Sequence, residues 1–236
     1  MSVAFVVALA CGRGQEPLSL EDHTGFDSIF DGTSMEGWDG DPSFWRVENG
    51  ALVGESTPEK PLEQNTFLIW RGGEPNDFEL KVEFRLHATN SGIQIRSARV
   101  PAEGDVGQWV LGGYQADIDF ENNYTGQIYE ERGRGFLARR GQAVYVPDGQ
   151  DAAPRIIGHL ERSADELKAV IKTGDWNQAH IIARGNMIVQ IVNGHVTSLL
   201  IDDDAANRAL EGSIGFQMHT GDPMKVEFRN VYLKRL

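Results

Sequence analysis

A disulfide needs two cysteines, and this chain of 236 residues has one, Cys11. No covalent staple crosses the chain, so its stability has to come from a packed core. Basic clusters are missing too. Lys and Arg number 22 against 35 Asp and Glu, for a net charge of −13, and nowhere do the cations gather. Phosphate contacts require such a footprint, which argues against nucleic acid or an anionic membrane as partner. Beyond the first ten residues no run approaches the roughly 18 apolar residues of a spanning helix. A Ser-His-Asp signature, a phosphate loop and the Cys/His spacing of a zinc site are also absent. Helical periodicity is scarce, confined to brief stretches at Ser163–Leu167 and Ala205–Leu210.

Short alternating apolar runs are abundant: 44–54, 66–71, 78–86, 92–97, 113–120, 127–130, 143–146, 168–172, 178–184, 187–193, 196–201, 213–218 and 224–234. Gly, Asn, Asp or Pro separate most of them, and Asn193-Gly194 is the strongest hairpin signal. Many short strands joined by turns predict an all-β sandwich or barrel rather than βαβ units. A chain of this length fits one large domain, here 25–236, with residues 1–24 as leader and tether. Met1–Ala10 is almost wholly apolar, and Ala8-Leu9-Ala10-Cys11 resembles the lipobox of a bacterial lipoprotein. That predicts export to the periplasm or cell envelope, with a lipid on Cys11 as the sole membrane contact. A basic flank is missing and the apolar run is short; the alternative is an incidental cysteine in an unstructured start.

The stretch Gly112–Leu137 carries the most chemistry. Tyr114, Ala116, Ile118 and Phe120 alternate with Gln115, Asp117, Asp119 and Glu121, so one strand face is apolar and the other acidic and amide-bearing. A second run, Gln127 to Glu130, leads into Gly133-Arg134-Gly135. Carboxylates, an amide, a tyrosine and an arginine on neighbouring elements suit a polyhydroxylated ligand.

Phe30-Asp31-Gly32 with Gly37-Trp38 and the segment FWRVENGALVG (44–54) are similar to the opening of the 3-keto-disaccharide hydrolase family. The likeness continues in order through NSGIQIRS (90–97), GYQAD (113–117), GQIYEERGRGFL (126–137), DWNQAHIIARGN (175–186), VNGH (192–195) and residues 212–236. The resemblance implies a concanavalin A-like jelly roll of two antiparallel sheets, with a ligand groove on the concave one. It also implies action on glycosides oxidised at C3. A C3 carbonyl acidifies the C2 proton; removing it gives an enolate that expels the C1 oxygen, and water addition completes a net hydrolysis. Such chemistry needs a base, an acid and donors for the enolate oxygen.

Asp117 and Glu130 are the expected base and acid, since both fall in matched motifs on adjacent strands. A carboxylate beside Tyr114 or Tyr129 can have its pKa raised into the working range. His219, two residues from Gln217, is the histidine best placed for proton transfer. Arg134 suits an enolate clamp, or else a salt bridge to Glu130 or Glu131. Gln94 and Arg96 line the groove if their face is the concave one, and Gln115 shares a face with Asp117. Trp109 and Asn177 are further candidates for sugar contact, with core packing as the alternative for Trp109. No metal centre is predicted as such, but Asp117, Glu130 and His219 offer a ligand set for a divalent cation that would polarise the ketone.

Two other functions fit the same residues. A carbohydrate-binding module would use the groove without turnover. A retaining β-glucanase would use Asp117, Asp119 and Glu121 as alternating strand acids, although positions four apart on a strand are about 13 Å apart and retention needs carboxyls about 5–5.5 Å apart. The keto-glycoside reading requires an oxidised glycoside as substrate and an upstream glycoside 3-oxidase to supply it.

Overall fold

The computed structural model describes residues 18–100, 107–149 and 152–236; the lipobox-like start and Cys11 lie outside them. Among the described residues, seventeen strands and one short α-helix follow in chain order: β1 (Asp27–Ser28), β2 (Trp38–Asp39), β3 (Trp45–Glu48), β4 (Ala51–Glu55), β5 (Thr66–Trp70), β6 (Phe78–Leu86), β7 (Asn90–Arg99), β8 (Leu111–Asp119), β9 (Ile128–Glu131), β10 (Gly135–Ala138), β11 (Gln142–Val146), β12 (Arg155–His159), α1 (Ala164–Lys168), β13 (Asn177–Arg184), β14 (Met187–Val192), β15 (His195–Asp202), β16 (Ser213–Met218) and β17 (Lys225–Arg235). One sheet has the order β12-β11-β15-β14-β13-β6-β17-β4-β3, with β1 added on β17. The other runs β10-β9-β8-β7-β16-β5-β2.

Alternation explains the layers. On β6, Phe78, Leu80, Val82, Phe84 and Leu86 are buried between the sheets, while Glu79, Glu83 and Arg85 stand on the outer face and pair with His180, Arg229 and Glu227. Phe216 of β16 stacks on Phe228 of β17 with ring centroids 4.1 Å apart, which ties the two sheets at the centre of the core. Removing such a buried ring costs about 3–5 kcal/mol.

Both sheets are antiparallel with one exception. β11 pairs with β15 in parallel, because the chain leaves β10 in one sheet and enters the other at Gly141, whose N–H donates to Thr197 O at 2.7 Å. The Asn193-Gly194 hairpin is present, with both residues at positive φ (49° and 80°) as a tight two-residue turn requires. Residues 168–172 form no strand. They leave α1, which begins at a capping box between Ser163 and Glu166 and is anchored by buried Leu167. Ala205–Leu210 is turn rather than helix: Asp204 takes the Ala206 N–H and the Asn207 side-chain amide, which holds the backbone in a local turn. The exposed edge strand β12 gave no periodic signal, since both of its isoleucines, Ile156 and Ile157, face solvent.

Candidate active site

The outer face of the seven-stranded sheet carries a cleft of about 260 Å³ lined by Asn90, Gln115, Asp117, Tyr124, Tyr129, Glu131, Phe136, Gln217 and His219. Its floor follows from register. Gln94 stands opposite Gln115, and Gly92 opposite Asp117. Their alternate neighbours Ile93, Ile95, Tyr114 and Ala116 point into the core. A Cβ at Gly92 would come within 2.3–2.6 Å of the Gln115 side chain, so that glycine is what lets Gln115 lie flat toward Asp117.

A one-way chain of hydrogen bonds crosses this floor. Ser97 Oγ donates to Gln94 Oε1, Gln94 Nε2 to Gln115 Oε1 at 2.8 Å, and Gln115 Nε2 to Asp117 Oδ1 at 2.9 Å. Every amide orientation is set by the one before it. Asp117 is only 8% exposed. Burial pushes its carboxyl up to about 7, the charges of Asp119 and Glu131 add to this, and the Gln115 bond opposes it. A carboxyl poised there is a base whose protonation changes around neutral pH.

Glu131 closes the far side. From β9 it reaches across the concave face, accepting from Asn65 Nδ2 at 3.0 Å and from Gln217 Nε2 at 3.5 Å. β16 lies three strands away in the sheet order, and sheet twist brings such diagonal corners together. Asn65 is itself oriented by the Thr220 N–H at 2.9 Å. His219 Nδ1 lies 2.6 Å from Thr220 O. A carbonyl only accepts, so Nδ1 bears the hydrogen and Nε2 is the basic atom of the neutral ring. One wall is aromatic: Phe136 stacks with Tyr124 at 5.7 Å and meets Tyr129 edge-on at 5.1 Å. Burial, then the charges of Glu131 and Asp117, raise the Tyr129 hydroxyl above its ordinary pKa, so it stays protonated. Among the described residues neither that hydroxyl nor the Asn90 amide has a hydrogen-bond partner, and both face the cleft.

A family model described as the 3-keto-α-glucoside-1,2-lyase-like domain matches residues 25–234. The chain belongs to this family. Solved structures agree on the fold, a concanavalin A-like jelly roll. A candidate glycosyl hydrolase from Parabacteroides distasonis is 18% identical with a TM-score of 0.58, over 90% of this chain and 94% of that one. A carbohydrate-binding module from Bacillus subtilis is 13% identical with a TM-score of 0.50, covering 84% and 95%. The Bacillus licheniformis β-glucanase is 10% identical with a TM-score of 0.50, covering 90% and 99%. At such identities the likeness is one of fold alone. No curated protein matches the sequence.

In this 3-keto-α-glucoside-1,2-lyase-like chain, four of the residues named from the sequence, Asp117, Gln115, Gln217 and His219, line the cleft, and the buried Gln94 supports Gln115 from beneath. Glu130 does not join them. It pairs with Tyr114 in the β8–β9 ladder and so faces the opposite side, where Arg134 Nε binds its Oε2 at 2.7 Å. Arg134 also reaches Asp202 at 2.6 Å and Asp204 at 3.2 Å. Burial would lower the charge affinity of this guanidinium, but the bonds to Asp202 and Glu130 outweigh it and hold its pKa above the usual range. Tyr114 is buried and its hydroxyl donates to Asp202, with burial as the main cause of a raised pKa. Arg134, Glu130 and Tyr114 thus form an ionic clasp between the sheets, not a substrate clamp.

Arg96 is likewise turned inward. A bulge in the β7–β8 ladder and a φ of 46° aim its side chain at the carbonyls of Asn76 and Gly185 and at Asp77. Trp109 packs on Phe67, Ile69 and Leu111 and donates to Asp39 at 2.8 Å. Asn177 binds Lys172, Asp175 and Asn193 and fixes a loop of the other sheet. Asp119 organises the β8–β9 turn by accepting from the N–H groups of Asn123, Tyr124 and Thr125, and Glu121 is exposed. The alternating acids of the β-glucanase reading therefore do not converge. Nor does the cation set of Asp117, Glu130 and His219, because Glu130 lies on the other side of the sheet; among the described residues no three His, Cys, Asp or Glu gather as a metal site. Sequence reasoning missed Glu131, Asn65, Asn90 and the aromatic wall. Tyr129 and Glu131 were within reach, since strand parity puts them on one face once the ladder is known.

Proposed function

We propose that this chain cleaves 3-keto-glycosides, with Asp117 as the base that removes the C2 proton. The observation that carries this is a single buried carboxyl at the bottom of a sugar-sized cleft, with one oxygen held by the Gln115 relay. The other oxygen is left for the substrate. The C2 hydrogen passes to Asp117 as a proton, and its electron pair delocalises onto the C3 oxygen. The enolate then re-forms the ketone as the C1–O bond breaks with its electrons going to the leaving oxygen. His219 Nε2, as imidazolium, supplies the proton that the leaving oxygen takes up. In the second half His219 accepts a proton from water as that water adds to C1, and Asp117 returns its proton to C2. Both groups end as they began.

The Asn90 amide and the Tyr129 hydroxyl are two unengaged donors facing the cleft, and they suit the enolate oxygen. One such pre-organised donor contributes about 3–4 kcal/mol to the transition state. The aromatic wall of Tyr124, Tyr129 and Phe136 suits the apolar face of a sugar ring. Only a ketone makes the C2 proton acidic enough for this route, so a C3-oxidising enzyme must act first. Side-by-side kinetics on a glucoside and its 3-keto derivative test the reading. Turnover of the keto form alone is expected, and equal or better cleavage of the unoxidised sugar refutes it.

A further inference from the structure

Among the described residues, eight buried side-chain polar atoms have no hydrogen-bond partner. One of them, Gln217 Oε1, belongs to a residue that lines the cleft. Gln217 is fully buried. Its Nε2 lies 3.5 Å from the Glu131 carboxylate, and a flipped amide would set Oε1 against those carboxylate oxygens instead, so the orientation with Nε2 toward Glu131 is the favoured one. Extending the register one residue past the Phe216–Ile93 pair brings Gln217 level with Gly92, which pairs with Asp117. Two strand spacings, about 10 Å, separate the Cα atoms of Gln217 and Asp117, and the intervening residue has no side chain. The Gln115 amide lies over Gly92, and Gln217, Gln115 and Asp117 all line the same cleft.

An acceptor buried without a donor costs free energy unless a ligand satisfies it. We infer that Gln217 Oε1 accepts a hydrogen bond from a ring hydroxyl of the sugar held against Asp117, namely the hydroxyl on C2 or C4, the carbons flanking the oxidised position. Gln217 is thus a specificity-determining residue that selects for a ring carrying that hydroxyl. The inference rests on the cleft being a sugar site, but not on the elimination chemistry. A ketone oxygen or an ether does not satisfy Gln217, because both are acceptors themselves. A sugar lacking the hydroxyl leaves Oε1 buried and unpaired, for a loss of about 5- to 150-fold in affinity.

The test uses unreactive probes: methyl α-D-glucopyranoside and its 2-, 4- and 6-deoxy derivatives, titrated against the wild type and Gln217→Met by NMR or calorimetry. Methionine keeps the length and volume of the side chain but cannot pair with a hydroxyl. The expected result is that removal of either the 2- or the 4-hydroxyl weakens wild-type binding at least about fivefold. The 6-deoxy sugar should bind as the parent does. In Gln217→Met the parent should bind as weakly as the deoxy sugar, so that the discrimination vanishes. A wild type with no penalty at C2 or C4 overturns the inference whatever the variant does, as does a penalty that persists undiminished in folded Gln217→Met. Failure to bind any of these sugars overturns it together with the sugar-site reading. Selective binding without turnover of 3-keto-glucosides would leave it standing and refute only the proposed chemistry.

Discussion

Replacing Asp117 by Asn should make the protein more stable and the catalyst worse, and the size of the first effect should depend on pH. The folded carboxyl lies near 7 against 3.8 for an ordinary aspartate, so between those values the folded state holds a proton that the unfolded chain has lost. Stability from neutral Asp117 is complete below pH 3.8 and drains away as pH rises to 7. At about 1.4 kcal/mol per pH unit, the loss is about 2 kcal/mol at pH 5 and about 4 kcal/mol above pH 7. Asn titrates in neither state, and its Oδ1 can still accept from Gln115. Other carboxyls respond to pH in both proteins alike, so the difference isolates this site. The variant should melt above the wild type, and the gap should widen by about 2–3 kcal/mol between pH 5 and pH 8.5. For a protein of this size that is about 5–10 °C. Thermal melts of both proteins at the two pH values measure it. Parallel wild-type and variant melting temperatures across that range would show that Asp117 is ionised normally, and the argument for it as a neutral-pH base would fall.

Activity of Asp117→Asn on a 3-keto-glucoside should drop by about 10²–10⁴, the usual cost of losing general catalysis; near wild-type turnover by the folded variant removes Asp117 from the mechanism. Glu131→Gln takes away a charge that raises the Asp117 pKa, so the acidic limb of its pH–rate profile should move to lower pH, and an unmoved limb argues against electrostatic coupling of the two. Glu130→Gln should leave that limb in place and instead destabilise the fold by about 1–3 kcal/mol, because Arg134 keeps Asp202 and Asp204 as partners; a shifted limb with unchanged stability would return Glu130 to the site. Gly92→Ala places a methyl 2.3–2.6 Å from Gln115, and kcat should fall about tenfold or more as the relay to Asp117 is displaced; full activity would mean the relay has no positioning role.

What was legible in the sequence, and what was not, follows from how each signal arises. Alternation of Ile93 and Ile95 with Gln94, or of Ala116 and Ile118 with Asp117, is a local consequence of the pleat, so face assignments within a strand could be read directly. The partner of a strand is not local. Glu130 and Glu131 adjoin in sequence, lie in the same motif and have the same chemistry. Only the ladder, with Gly113 opposite Glu131 and Tyr114 opposite Glu130, decides which one shares a face with Asp117. A one-residue difference in pairing sends a side chain to the other side of a sheet.

Arg96 shows a second limit. It alternates correctly with Gln94, yet a bulge between Ile95 and Ala98 breaks the parity just there, and nothing in IQIRSA announces it. Tyr114 was in fact legible, for it falls on the apolar side of the alternation and is buried accordingly. Resemblance to the family marked a segment rich in site residues but could not sort its two faces. The sorting carries the chemistry: on one face Arg134 holds Glu130, Asp202 and Asp204 in a clasp between the sheets. On the other, among the described residues no Arg or Lys stands beside Asp117 to hold it ionised, and a carboxyl without such a partner is the one that can titrate where the reaction needs it.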